Sequence, residues 1–337
     1  MRITSIILLF FALACKKEQD TIPLSIKKVD LLLDTKPTDI SFADEHSGFV
    51  STAYSPKYGS SLILKTTDGG INWLSVPVSI DGSVAINLRS VYAHTRDTVF
   101  ATFNTQDHCG VCISTDGGST WNSLLSADQT LPYTDVLYHN DRIFVTLSGG
   151  IISSSDLGKT WVSVYKPEKP GGNIGVKMFV NKKIGYAYGM DVVYCGTDCP
   201  TYSVGTLIKT IDGGETWFRL PDIPGGPTDL KFMDEQNGYV FAYGGNLYRT
   251  IDGGLNWQLA GEVSSEGSYF VSVRQGPDIY YSTGASHVYQ SPLGLQTKTL
   301  IFQDDSGESF NFKGLAISNR KILFLSQGGQ ILIINLK

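Results

Sequence analysis

The chain is 337 residues long, 42% hydrophobic and 18% charged, with a formal net charge of −5. An acidic balance without a basic run excludes a nucleic-acid binder, because that affinity rests on Lys and Arg neutralising phosphate. Thirty-six Gly, 17 Tyr and 16 Phe, with no amphipathic helical stretch of useful length, fit one all-β domain with a sizeable core.

The amino terminus is a secretory signal. Arg2 precedes an apolar run over residues 6–13, too short to span a membrane as a helix, and Ala14 leads directly to Cys15. A small residue before Cys is similar to a bacterial lipobox, with Cys15 as the lipidated first residue, although Ala12 stands where Leu is usual. The competing expectation is a signal peptide cleaved nearby without lipidation. Residues 1–14 are therefore assigned to the signal, 15–23 to a charged tether and 24–337 to the folded domain. Removing 1–14 takes away Arg2 alone, so the net charge goes from −5 to −6. Lys16 after the Cys resembles outer-membrane sorting, which gives an outer membrane lipoprotein on its periplasmic or surface-exposed side, anchored by acyl chains only.

Past the tether, all five Trp end one phrase: Ser/Thr, any residue, Asp, any residue, Gly, two residues, Trp. Its Asp, Gly and Trp are Asp68, Gly70 and Trp73; Asp116, Gly118 and Trp121; Asp156, Gly158 and Trp161; Asp212, Gly214 and Trp217; Asp252, Gly254 and Trp257. Asp bonds nearby N–H groups and Gly supplies positive φ, so each phrase reads as a turn between two short strands, with Trp packing beneath it. One active site does not need five copies, whereas a repeated fold does, so these residues are structural.

The Trp-to-Trp spacings are 48, 40, 56 and 40 residues, those of four-stranded propeller blades. The first blade takes strands at 39–43, 49–53, 62–66 and 73–76. Pro37-Thr38-Asp39 and Phe42 return as Pro227-Thr228-Asp229 and Phe232, and Thr134-Asp135 is a shorter echo. After Trp257 the phrase decays, with Pro292 in the Asp position and Thr297 in the Trp position, but strands continue to residue 336. The expected architecture is a seven-bladed β-propeller closed by the N-terminal strand at 24–33, with six or eight blades as alternatives.

Cys109 and Cys112, then Cys195 and Cys199, fall by this count in connections between second and third strands. Two local disulfides are expected in an oxidising compartment; a Cys₄ zinc site with His108 nearby is the competing reading. Neither a bound metal nor a cofactor is expected. The 190–205 insertion supplies Asp191, Tyr194 and Tyr202, which with Tyr54, Tyr58 and His108 make a candidate binding rim. Asp39, Asp135 and Asp229 begin innermost strands and either line the channel mouth or cap the turn into the strand.

On these residues the chain resembles the Asp-box (BNR) repeat propellers and, within them, the photosystem II assembly and stability factor family, whose repeats also read Thr-x-Asp-Gly-Gly-x-x-Trp. The resemblance covers roughly residues 37–260 and implies a non-enzymatic scaffold that holds other proteins during assembly. A photosynthetic role does not follow from it, and the arginines here are dispersed. Sialidases share the phrase, but their first arginine falls in Arg-Ile-Pro, where this chain has Thr21-Ile22-Pro23. The expected partner is an envelope or extracellular protein. The alternative is a surface carbohydrate-active propeller, binding glycan or cleaving it with paired carboxylates.

Overall fold

A computed structural model describes residues 25–128, 133–147, 150–167, 173–193, 202–263, 271–275, 278–282, 286–292, 297–307, 310, 313–318 and 320–336. The signal peptide, Cys15 and the tether lie outside them. Among the described residues the fold is all-β, without helix.

A first strand, β1 (Ser25–Asp30), precedes a meander of β2 (Pro37–Phe42), β3 (Gly48–Ser55), β4 (Ser60–Thr66) and β5 (Leu74–Pro77). A small ribbon follows, β6 (Ser79–Ile80) with β7 (Ser83–Val84), and then β8 (Asn87–Ala93), β9 (Val99–Asn104), β10 (His108–Ser114) and β11 (Asn122–Asp128). The two meanders join into one eight-stranded sheet through a single pairing, Ala53 with Asn87. Five four-stranded sheets complete the fold. The next is β12 (Tyr133–His139), β13 (Arg142–Leu147), β14 (Gly150–Ser154) and β15 (Val162–Tyr165). It is followed by β16 (Asn173–Phe179), β17 (Gly185–Val193), β18 (Tyr202–Thr210) and β19 (Phe218–Arg219). Then come β20 (Pro227–Phe232), β21 (Gly238–Ala242), β22 (Asn246–Thr250) and β23 (Gln258–Glu262), and β24 (Val271–Gln275), β25 (Asp278–Ser282), β26 (His287–Pro292) and β27 (Thr299–Gln303). The last sheet holds β28 (Lys313–Ser318), β29 (Lys321–Leu325) and β30 (Gln330–Asn335), with β1 antiparallel to β30 in register Ser25↔Asn335 to Asp30↔Gln330.

Second strands are buried on both faces, as are most third strands (β22 and β26 less so), because each sheet is packed between two others. Phe49 and Ile63 share a cluster with Leu88 and Val99; Phe100 and Val111 with Val136 and Ile143; Phe144 with Ile174 and Ala187. Tyr186 and Leu207 pack with Leu230 and Val240, Phe241 with Ile279, and Tyr280 with Phe324 and Leu332. Leu323 and Ile331 then pack with Ile40, Val50 and Leu62, so the series returns to the first sheet. The outermost strands β5, β15, β19, β23 and β27 are short and largely exposed, which limits edge-to-edge pairing with other chains.

Each Trp phrase folds by one set of hydrogen bonds. A hydroxyl two residues before the Asp (Thr66, Ser114, Ser154, Thr210, Thr250) donates to Oδ1 at 2.7–2.8 Å and accepts the N–H of the Gly. The same carboxylate accepts both the N–H and the side chain of the residue before Trp, namely Asn72, Thr120, Thr160, Thr216 or Asn256. That Asn/Thr position reads as arbitrary in the sequence, yet it supplies two of the bonds. Indole Nε1 of Trp73, Trp121 and Trp161 donates back to the Gly carbonyl at 2.9–3.2 Å. Gly214 is at φ 89°, and a Cβ there would collide with Phe144 of the preceding sheet. The third phrase differs: Leu157 holds a left-handed φ of 57° where the other four have Gly. Cations cross between neighbouring meanders at this rim, with Lys65 Nζ on Gly117 O (3.4 Å) and Lys209 Nζ on Gly253 O (2.9 Å).

These turns give the fold an acid limit. Each of the five carboxyls is lowered from 3.8 to about 2. In Asp68 and Asp212 partial burial opposes the shift and the hydrogen bonds outweigh it; in Asp116 the Thr120 N–H leads; in Asp156 and Asp252 the Thr160 and Asn256 side chains lead. A pKa lower folded than unfolded contributes stability above the unfolded value, and this is lost as pH falls through the folded one. Thermal midpoints therefore change little above about pH 5 and drop between pH 3.8 and about 2. In an Asp212→Asn chain, already weakened at neutral pH, the drop is shallower; an equal drop in both chains would contradict the assignment.

Candidate functional site

The first strands β2, β8, β12, β16, β20 and β28 line a central cavity of about 580 Å³. In all six the register slips by one residue. In four of them the slip falls near the strand start, between Pro37 and Asp39, Leu88 and Ser90, Tyr133 and Asp135, and Pro227 and Asp229. In the other two it falls between Val176 and Met178 and between Ala316 and Ser318. A bulge of this kind re-aims the side chain that follows it. At each of the three aspartates, Oδ1 accepts the next residue's N–H at 2.8–3.0 Å, which holds the carboxylate against its own strand.

A charged network links Asp39 and Asp135 across sheets, and Asp229 pairs within its own strand. Lys313 Nζ pairs with Asp39, Lys177 Nζ lies 3.2 Å from Asp135 and Lys231 Nζ 2.9 Å from Asp229. Ser90, 3% exposed, lies with its Oγ 3.0 Å from Asp39 Oδ2 and 2.8 Å from Asp135 Oδ1, so one hydroxyl proton serves two carboxylates. Val91 N–H also donates to Asp39. Burial would lower the Lys313 ammonium, but the Asp39 and Asp135 carboxylates outweigh it and hold its pKa above the usual lysine value. Tyr188 OH donates to Thr228 O at 2.7 Å; burial, then the Asp229 and Asp135 charges, push its phenol well above the usual range. The lining carries four cations, Arg89, Lys177, Lys231 and Lys313, against three carboxylates, one positive charge in excess. Arg89 is exposed, and among the described residues its Nε contacts Asn104 Oδ1 at 3.4 Å.

Ser90→Ala removes the donor shared by two partly buried carboxylates. The expected cost is about 1–3 kcal/mol, read by urea unfolding. No measurable loss would mean that the hydroxyl does not join Asp39 to Asp135.

The rim residues are only partly assembled. Tyr54 and Tyr58, 46% and 41% exposed, share the β3–β4 hairpin, with Lys57 Nζ 5.2 Å from the Tyr58 ring centre. His108 opens β10 at the corresponding turn of the next meander and is exposed. Asp191 and Tyr202 fall on the paired ends of β17 and β18, whose ladder runs to Val193↔Tyr202. Tyr194, Cys195 and Cys199 lie outside the described residues.

The first cysteine pair requires a correction. Cys109 and Cys112 are inside β10, the third strand of its meander, not in the connection before it. Three residues apart on a strand, they point to opposite faces. Cys112 packs with Val99 and Trp121, and Cys109 with Val136 and Ile143. Their thiols reach Ala101 O and Ala127 O respectively. No disulfide joins them, and one metal ion could not take both.

No protein-family model matches the chain. It is 25% identical over 245 residues to the photosystem II assembly lipoprotein Ycf48 of Synechococcus sp. (strain CC9902), covering 71% of this chain. The match takes in 54% of that protein, so the chain spans about half the length of this curated relative. Among solved structures it is similar to YCF48 bound to D1 peptide (TM-score 0.69, 18% identity, 93% of this chain and 97% of that one). It is likewise similar to YCF48 from Cyanidioschyzon merolae (TM-score 0.64, 16% identity, 92% and 98%). The chain thus resembles these assembly factors in sequence and is a β-propeller by structure.

Proposed function

We propose that the protein is a non-enzymatic scaffold that holds a segment of another protein, and that its sheets form seven blades of one ring closed by β1. Support for the ring comes from the packing series that returns from Leu323 and Ile331 to Ile40 and Val50, and from the β1–β30 pairing. The binding reading is carried by the central cavity, whose carboxylates are all taken by ammonium, hydroxyl or backbone N–H groups while the lining keeps one excess cation. Such a surface suits an extended segment with acidic character and polar backbone groups. The similar structure bound to D1 peptide supports the same class of ligand. The carbohydrate-active alternative draws no support from this cavity, because glycoside cleavage needs two carboxyl groups facing one cleft and here each faces a cation. The protein acts as an envelope lipoprotein, anchored through Cys15 and offering the Tyr54, Tyr58 and His108 rim around the channel mouth.

The test is chemical cross-linking in the native cell followed by mass spectrometry, run beside an unrelated lipoprotein and an Arg89→Glu chain. One or two proteins are expected above the control, with recovery reduced several-fold by Arg89→Glu. Recovery no higher than control, or insensitive to Arg89→Glu, would remove the scaffold reading at this site.

A further inference from the structure

Five exposed apolar side chains stand on the Trp-phrase turns: Ile71 (42% exposed), Leu157 (57%), Ile211 (58%), Ile251 (62%) and Leu255 (56%). All of these turns join a third strand to a fourth, so they share one rim, opposite the turns that carry Tyr58 and His108. Leu157 is the most telling of them. Its backbone is left-handed, a conformation in which the Cβ of a non-glycine residue is crowded by the following carbonyl, and its side chain is mostly in water. Neither the backbone nor the core of this protein accounts for Leu there.

The amino-terminal strand enters at the same rim. Ser25 at the start of β1 pairs with Asn335 at the end of β30, as Leu74 at the start of β5 pairs with Lys65 near the end of β4. Only nine residues, 16–24, separate Ser25 from Cys15. Fully extended, nine residues span at most about 30 Å. The far rim is a further strand length away, about 20 Å for six or seven residues.

We infer that the Trp-phrase rim lies against the membrane, its exposed Ile and Leu side chains resting in a zwitterionic lipid interface, with the opposite rim and the channel mouth facing away. This rests on the lipid-anchor reading of Cys15. A zwitterionic surface is specified because the rim also carries Asp68, Asp116, Asp156, Asp212 and Asp252, whose charge disfavours anionic headgroups. Shallow burial of isolated apolar side chains beside an acyl anchor adds a second, weaker attachment and thereby sets orientation.

The experiment uses the full-length lipidated protein added to phosphatidylcholine–phosphatidylethanolamine vesicles. Ile211→Cys, Leu255→Cys and Tyr58→Cys chains each carry a fluorophore, with the unsubstituted chain as labelling blank and a headgroup-quencher lipid in the bilayer. Flotation with the vesicles is scored first. The labels at 211 and 255 are expected to be quenched roughly twofold or more relative to the label at 58. Flotation with equal or reversed quenching would overturn the orientation while leaving the anchor standing. Failure to float would overturn the anchor and this inference with it.

Discussion

A chain beginning at Asp34, without β1, unfolds at a much lower temperature than one beginning at Leu24 and self-associates in solution. Deleting β1 strips the outer edge of β30, from Asn335 to Gln330, of its antiparallel partner while β29 remains on the other side. It also removes Leu31, 8% exposed, from the cluster of Leu323, Ile331 and Ile333, and Val29, Leu33 and Ile26 from the surfaces they cover. Lys28 Nζ leaves Asp304 Oδ1, 2.6 Å away. One fully buried aliphatic side chain and three partly buried ones amount to a loss on the order of 5 kcal/mol. The bared β30 then offers unpaired N–H and C=O groups to another chain. Light scattering after size exclusion and thermal melts read both effects. A monomeric truncated chain with a midpoint within about 2 °C of the longer one would show that β1 does not close the ring.

The second large effect is Phe144→Ala. Phe144 is 1% exposed on β13 and inserts between its own sheet and the next, with ring centres 5.3 Å from Phe179 and 6.4 Å from Trp217. Ile151, Ile174, Ala187 and Ile208 fill the remaining space. Gly214 is what makes room for the ring, so side chain and turn are fitted to each other. Neighbours from two sheets, held by separate turns, cannot close together over the void. The loss is therefore about 3–5 kcal/mol, measured by urea unfolding with unchanged slope. A loss under about 1 kcal/mol would mean that this junction can collapse, contrary to the packing described.

The sequence carries the all-β reading plainly because the turns are written in residues that do little else. Asp-x-Gly supplies the bonds and the positive φ, and Trp, rare and large, marks where the returning strand begins. What escaped has physical reasons. The β6–β7 ribbon has two-residue strands, too short to show any period, yet it brings Val78, Ile80 and Ala85 into the core beside Trp121. The Cys109–Cys112 stretch looked like a connection because Gly and paired Cys suggest a loop. Gly110 is there because a Cβ would collide with Leu125 O of the neighbouring strand. In the channel the three aspartates were visible through the repeated Pro-Thr-Asp text, but their partners were not. Lys177, Lys231 and Lys313 alternate along strands as solvent-facing residues do, and Ser90 stands at the Asp position of a meander whose opening lacks that text. Only the arrangement of first strands around one cavity reveals that these residues meet.

That cavity carries the central claim, that another protein's segment enters the channel from the Tyr58 rim. The most direct measurement places a photoreactive side chain at Arg89, Tyr58 or Leu259 in turn and irradiates intact native cells. Leu259, 62% exposed on the outermost strand β23, reports collisions with the circumference of the ring. One discrete adduct of the same mass is expected from positions 89 and 58 and none from 259. Adducts from 259 alone, with positions 89 and 58 silent, would put the partner on the outer edge and contradict the claim.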